Sequence, residues 1–151
     1  MSKIETICKK AHDAAEQMSL MSSGQKNEAL EEMAAALDRS RAFILSENKK
    51  DIEAATKKGL SKALIERLTL NDARISSMIE GIRQVIALPD PVGELIEESK
   101  RPNGLEIKKV RVPLGTIAII YESRPNVTVD ATVLCLKAGN CVVLKGGSDA
   151  I

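Results

Sequence analysis

The sequence predicts an α/β protein on three observations. Apolar residues recur at helical spacing up to Pro89, a polar stretch with a strong turn signal follows, and Thr116 onward reads strand, helix, strand. The parts run 1–92, 93–112 and 113–151, and 151 residues suffice for one domain with a substantial core.

The helical part divides at its punctuation. A first helix carries Ile4, Ile7, Cys8, Ala11, Ala15 and Met18 on one face, with Lys and Glu opposite. Ser22 and Gln25 have capping-box spacing, so a second helix starts there and buries Leu30, Met33 and Leu37. Ser40 is placed to cap a third, running through Ile44, Leu45 and Ile52 to Gly59. Ser61 to Leu68 forms a short helix. Asn71 caps a longer one whose stripe is Ile75, Met78, Ile79, Ile82 and Ile86, ended by Pro89 and Pro91.

Gly93 to Val112 predicts a β-hairpin around Pro102-Asn103-Gly104. A register centred on Asn103 sets Glu97 opposite Lys109 and Glu98 opposite Lys108. Such pairs are worth about 0.2–1 kcal/mol each, so they select register more than they stabilise. Leu105 and Ile107 are odd-numbered while Val110 and Val112 are even, which predicts a bulge at Lys108-Lys109. A hairpin this polar needs a partner, such as a sheet in another subunit.

Thr116 to Tyr121 is a continuous apolar run, as in a strand covered on both faces. Asn126 or Thr128 can cap a helix bearing Val129, Val133 and Leu136, which Gly139-Asn140 ends. Cys141 to Lys145 is a second strand, and the whole makes a βαβ unit with parallel strands. Two parallel strands leave both edges unpaired, so the chain is expected to be a piece of a larger sheet.

Composition excludes several functions. Lys and Arg number 22 against 21 Asp and Glu, for a net charge of +1, and Phe43 and Tyr121 are the only aromatics. Neither an electrostatic footprint nor a stacking platform for nucleic acid is present. No apolar run approaches the roughly 18 residues that span a bilayer. The opening residues lack a signal-peptide pattern, and Cys8, Cys135 and Cys141 have no framework spacing. A cytoplasmic protein with reduced thiols is expected.

Parallel strands put their C-terminal ends on one edge, where open α/β sheets bind ligands. Ser123-Arg124-Pro125-Asn126 and Lys145-Gly146-Gly147-Ser148 both lie there. The glycines let backbone N–H groups approach an oxygen-rich ligand, and Lys145 adds a charge for a ribose hydroxyl or phosphate. Equally, Gly-Gly-Ser is an ordinary strand-to-helix turn. Arg124 can fork onto a carboxylate or phosphate, and Asn126 can donate to a developing oxyanion. Their plainer roles are a solvated turn residue and a helix cap. The three cysteines sit on expected packing faces, as inert thiols do. Cys8 and His12 stand four apart, but no second ligand pair accompanies them, so no metal site is expected.

The run VPLGTIAIIYESRPNVTVDATVLCLKAGNCVVLKGGSDAI, from Val112 to Ile151, resembles the γ-glutamyl phosphate reductases of the aldehyde dehydrogenase superfamily. LTLNDARISSMIEGIRQVIALPDPVGE, from Leu68 to Glu94, resembles them too, and SENKKDIEAA from Ser46 does so more loosely. The resemblance implies an aldehyde dehydrogenase-like fold and NADPH-dependent reduction of L-glutamate 5-phosphate to L-glutamate 5-semialdehyde and phosphate, in proline biosynthesis. It implies that a cysteine thiolate attacks the acyl phosphate and hydride reduces the thioester. That cysteine lies well downstream in the family, and none of the three here matches it, so this chain alone is expected to be inactive and to bind NADPH weakly or not at all. By the same resemblance Lys145, Gly146, Gly147 and Ser148 touch the cofactor, the small Ser148 leaving room for a 2′-phosphate. Asn126 lies in the oxyanion loop, Ser123 and Arg124 shape the substrate or cofactor pocket, and the 93–112 hairpin is the arm through which such enzymes form homo-oligomers. A short non-catalytic module that oligomerises or binds a partner is the alternative.

Overall fold

The computed structural model describes residues 2–122 and 124–147. Five helices come first: α1 (Lys3–Ser19), α2 (Ser23–Arg39), α3 (Arg41–Lys57), α4 (Lys62–Leu68) and α5 (Asp72–Ala87). The hairpin strands β1 (Leu95–Lys100) and β2 (Glu106–Val110) follow, then β3 (Thr116–Ile120), α6 (Pro125–Lys137) and β4 (Cys141–Lys145).

Most helix starts follow the expected side-chain chemistry. Ser22 and Gln25 form a reciprocal capping box, and so do Ser2 and Glu5, which the sequence reading passed over. The Ser61 and Asn71 side chains accept from the Leu64 and Arg74 N–H groups. Ser40 does not cap. Its backbone, at φ −92° and ψ 3°, already closes α2, donating to the Ala36 carbonyl while accepting from the Ile44 N–H. A capping side chain needs an extended backbone, which a residue shared by two abutting helices does not have.

The core lies between α2, α5 and α6. Leu30 and Ala34 pack with Ile75, Met78, Ile79, Ile82 and Val133, and Met33, Leu37, Ile44, Leu45 and Ile86 line its margin half-buried. The α5 stripe is thus buried as its period predicts. On α1 the stripe is buried less than expected. Ala11, Ala15 and Met18 are half-buried on the helix that packs on β3 and β4, but Ile4, Ile7 and Cys8, nearer its start, are exposed.

Buried polar groups tie the elements together. Lys26, 1% exposed, makes an ion pair of 2.6 Å with Asp90. Lys137, also buried, donates to Asn27 Oδ1 at 2.8 Å and to the Ile86 carbonyl at 3.0 Å. Burial alone would raise the Asp90 carboxyl. The hydrogen bonds from Lys26 and the Val92 N–H, with the charges of Lys26 and Lys137, together hold it below the usual range. Asn48 joins α3 to the α4–α5 corner, donating to the Leu68 carbonyl and accepting from the Leu70 N–H.

The hairpin keeps the expected register, with Glu97 opposite Lys109 and Glu98 opposite Lys108. Its irregularity falls between Leu95 and Glu97, so the extra residue is Ile96 in β1, not one at Lys108-Lys109. β2 itself stays regular, so Ile107 and Val110 lie on opposite faces of the hairpin, and the change of phase that the sequence suggested is not corrected within β2. At the turn Gly104 takes a left-handed φ of 87°, and Asn103 accepts from the Leu105 N–H. All of β2 is exposed, and only Ser99 of β1 is half-buried.

β3 and β4 pair in parallel, Thr116 beside Cys141 through Ile120 beside Lys145. The Thr116 hydroxyl donates to the Ala11 carbonyl, fixing α1 against the pair, and α6 returns across β4. β3 is not covered on both faces: Ala118 and Ile120 are exposed, Ile120 at 83%. Cys141 is half-buried rather than buried. Before β4, Gly139 has φ 72°, and a Cβ there would stand 2.9 Å from Pro113 Cγ, so two constraints demand glycine. Asn140, buried beside it, accepts from the Leu114 and Gly115 N–H groups, binding the start of β4 to that of β3.

Candidate functional site

The C-terminal ends of β3 and β4 form one edge, continued by the Tyr121 N–H donating to the Lys145 carbonyl at 3.1 Å. Tyr121 organises it. Its hydroxyl lies 2.5 Å from Thr128 Oγ1 on α6, and its ring lies against Gly146, where a Cβ would be 3.4 Å from the hydroxyl oxygen. The backbone after β4 thus passes within van der Waals reach of the ring. Lys145 is exposed, and its Nζ donates to the Gly146 carbonyl at 2.6 Å. Gly146 and Gly147 are half-buried. Ser123 and Ser148 lie outside the described residues.

α6 starts earlier than either cap that the sequence suggested. Arg124 occupies the cap position without a side-chain cap, and Pro125 takes the first helical turn, where its fixed φ and missing N–H cost nothing. Asn126 is consequently inside the helix. Its amide donates to Asp130 Oδ2 at 3.0 Å, one turn on, instead of capping a backbone N–H.

Three cavities surround this turn. One of about 310 Å³ is lined by Arg67, Tyr121, Glu122 and Arg124 among others, and one of about 240 Å³ by Arg67, Arg74, Asn126 and Asp130. A third, of about 470 Å³, is largely apolar and reaches from Phe43 and Ile44 to Arg124 and Thr128. On its wall burial, then the Glu47 charge, raises the Asp51 carboxyl. Lys145, Gly146 and Gly147 line none of the three, so the structure groups Arg124 and Asn126 on one side and sets the lysine–glycine turn apart.

Cys135 is buried in α6, and burial pushes its thiol up, away from the thiolate a nucleophile needs. Exposed Cys8 and half-buried Cys141 line none of these cavities either. Among the described residues no group of three or more His, Cys, Asp or Glu side chains is placed to hold a metal, and no helix is long and apolar enough to cross a membrane. Sequence reasoning missed Arg67 and Arg74, whose proximity to α6 has no local signal. It also missed the Tyr121–Thr128 contact, for which a polar tyrosine tip ending an apolar strand was the available hint.

Comparison with known proteins gives one consistent result. The γ-glutamyl phosphate reductase of Carboxydothermus hydrogenoformans is 56% identical over 99% of this chain and 36% of its own length. The crystal structure of the Thermotoga maritima γ-glutamyl phosphate reductase superposes with a TM-score of 0.96 at 46% identity, over 99% of this chain and 36% of that one. That of Saccharomyces cerevisiae gives 0.95 at 33%, over 99% of this chain and 38% of that one. The chain thus spans about a third of the length of these relatives. Their likeness extends over the helices, the hairpin and the parallel pair alike, and with residues 1–150 matching the family model, the chain belongs to the aldehyde dehydrogenase family.

Proposed function

We propose that these residues are the N-terminal part of an enzyme that reduces L-glutamate 5-phosphate to L-glutamate 5-semialdehyde and phosphate with NADPH, in the cytoplasm, for proline biosynthesis. The observation that carries this reading is the likeness to γ-glutamyl phosphate reductases along the whole chain, through the hairpin and the parallel pair.

In this reading residues 1–92 are the helical part of the cofactor domain, 93–112 an oligomerisation arm, and 113–151 the start of the cofactor-binding sheet. Exposed Lys145 and the side-chain-free Gly146 and Gly147 hold the cofactor's ribose and phosphates, with Ser148 beside a 2′-phosphate. The fit rests on Gly146 and Gly147, whose missing side chains leave the backbone N–H groups after β4 open to an oxygen-rich ligand, with exposed Lys145 beside them. A bound nicotinamide cofactor supplies hydride. Ser123 and Arg124 position the substrate, and Asn126, whose amide keeps a second donor besides the one given to Asp130, serves the oxyanion role. None of Cys8, Cys135 and Cys141 stands where these reductases carry their nucleophile, and the burial of Cys135 supports a packing role for it, so in this reading the 151-residue chain alone is inactive.

The test is turnover by the full-length gene product, following NADPH oxidation and phosphate release from glutamyl phosphate against aspartyl phosphate and acetyl phosphate. A clear preference for glutamyl phosphate is expected. Equal or better use of another acyl phosphate would overturn the substrate assignment.

A further inference from the structure

The polar residues so far assigned leave the substrate's anionic groups with Arg124 alone. A second guanidinium lines the same space. Arg67, in the last turn of α4, borders the 310 Å³ cavity together with Arg124 and the 240 Å³ cavity together with Arg74. The two cavities therefore adjoin at Arg67, and the first turn of α6 forms a wall of both: Arg124 and Val127 in one, Pro125 and Asn126 in the other.

The two inner arginines differ in occupation. Arg74 is committed to the chain, its guanidinium donating to the Glu66 and Thr69 carbonyls and fixing the α4–α5 corner. Arg67 makes no hydrogen bond or ion pair with any described residue. Each cavity also holds one carboxylate. Glu122 stands in the first and Asp130 in the second, where Asp130 already accepts from Asn126. Two guanidiniums against one carboxylate leave each space with a positive surplus. A guanidinium fork matches the paired oxygens of a carboxylate or phosphate, and an uncommitted one is available for them.

We propose that Arg67 is a specificity residue that acts with Arg124 to hold an oxyanion of the substrate, either its phosphoryl group or its α-carboxylate. This deepens the reductase reading and rests on it. Arg67 binds and orients; it takes no part in bond making.

Running the reaction backwards on the full-length gene product separates the two sources. The semialdehyde is oxidised to the acyl level, NADP is reduced, and phosphate oxygen joins the acyl carbon, so the amino-acid and phosphate groups enter as separate substrates, each with its own KM. In Arg67→Gln, at least about a tenfold rise in one KM is expected, with kcat changed less and the unfolding midpoint unmoved. Arg67→Lys should recover only part of the loss, since a point charge lacks the fork. A rise for phosphate identifies the phosphoryl group, and a rise for the semialdehyde identifies the carboxylate. Both KM values staying near wild type would overturn the proposal. Calorimetric titration with inorganic phosphate and with L-glutamate reads the site without turnover. If the enzyme proves inactive on glutamyl phosphate yet Arg67→Gln weakens one of these ligands tenfold, the reductase reading fails and the anion site stands.

Discussion

The corner where α2, α5 and α6 meet and the edge where β3 and β4 end are built on opposite plans. In the corner each polar group is answered: Lys26 by Asp90, Lys137 by Asn27 and a carbonyl. At the edge, among the described residues, Lys145 reaches only the adjoining carbonyl, Ile120 is exposed, and Arg67 has no partner. Satisfied buried groups hold one geometry, whereas unsatisfied exposed ones are available to a ligand or to further chain. The rigid corner holds α6, and α6 presents Arg124 and Asn126 at the edge.

The corner should break hardest. Lys26→Ala strands Asp90 without its partner and is expected to cost about 3–5 kcal/mol, measured by urea unfolding. A loss below about 1 kcal/mol would mean that water reaches the carboxylate freely. Core truncation comes next: Ile82→Ala should cost about 2–5 kcal/mol by the same measurement. Gly139→Ala should cost at least about 1–2 kcal/mol from its left-handed backbone alone, before the clash with Pro113. Smallest is the hairpin. Glu98 and Lys108 are both exposed and 3.4 Å apart, so Glu98→Gln should change stability by less than about 1 kcal/mol.

The corner also carries a pH signature. Asp90 has a carboxyl held lower in the fold than in the unfolded chain, so its stabilisation is complete above the ordinary carboxylate range. It disappears as pH falls through the lowered folded value. The urea midpoint should drop on that acid limb, and Lys26→Met, which removes the main partner, should flatten the drop. An unchanged acid limb in the variant would place the titration elsewhere.

The same contrast explains what could be read in advance. Period and capping chemistry are local, so the α5 stripe from Ile75 to Ile86, the Ser22 box and the parallel pair were legible. The hairpin register was legible because a turn and two charge pairs agree on it. Ser40 was misread because its side chain suits a cap while the abutting helices deny it the backbone. Lys26 and Lys137 look like solvated lysines in any helix; only the tertiary position of Asp90 and Asn27 buries them. Arg67 escaped notice for that reason also, since nothing nearby in sequence connects α4 with the start of α6.

Hydrogen exchange of the full-length gene product with and without NADPH tests most directly whether the open edge is the ligand side. Slowed exchange is expected in the segment covering 141–147, with none in the hairpin at 93–112 and none in the already protected α5. Unchanged exchange at 141–147 under saturating cofactor, or protection confined to the helical corner, would contradict the assignment of the lysine–glycine turn to the cofactor.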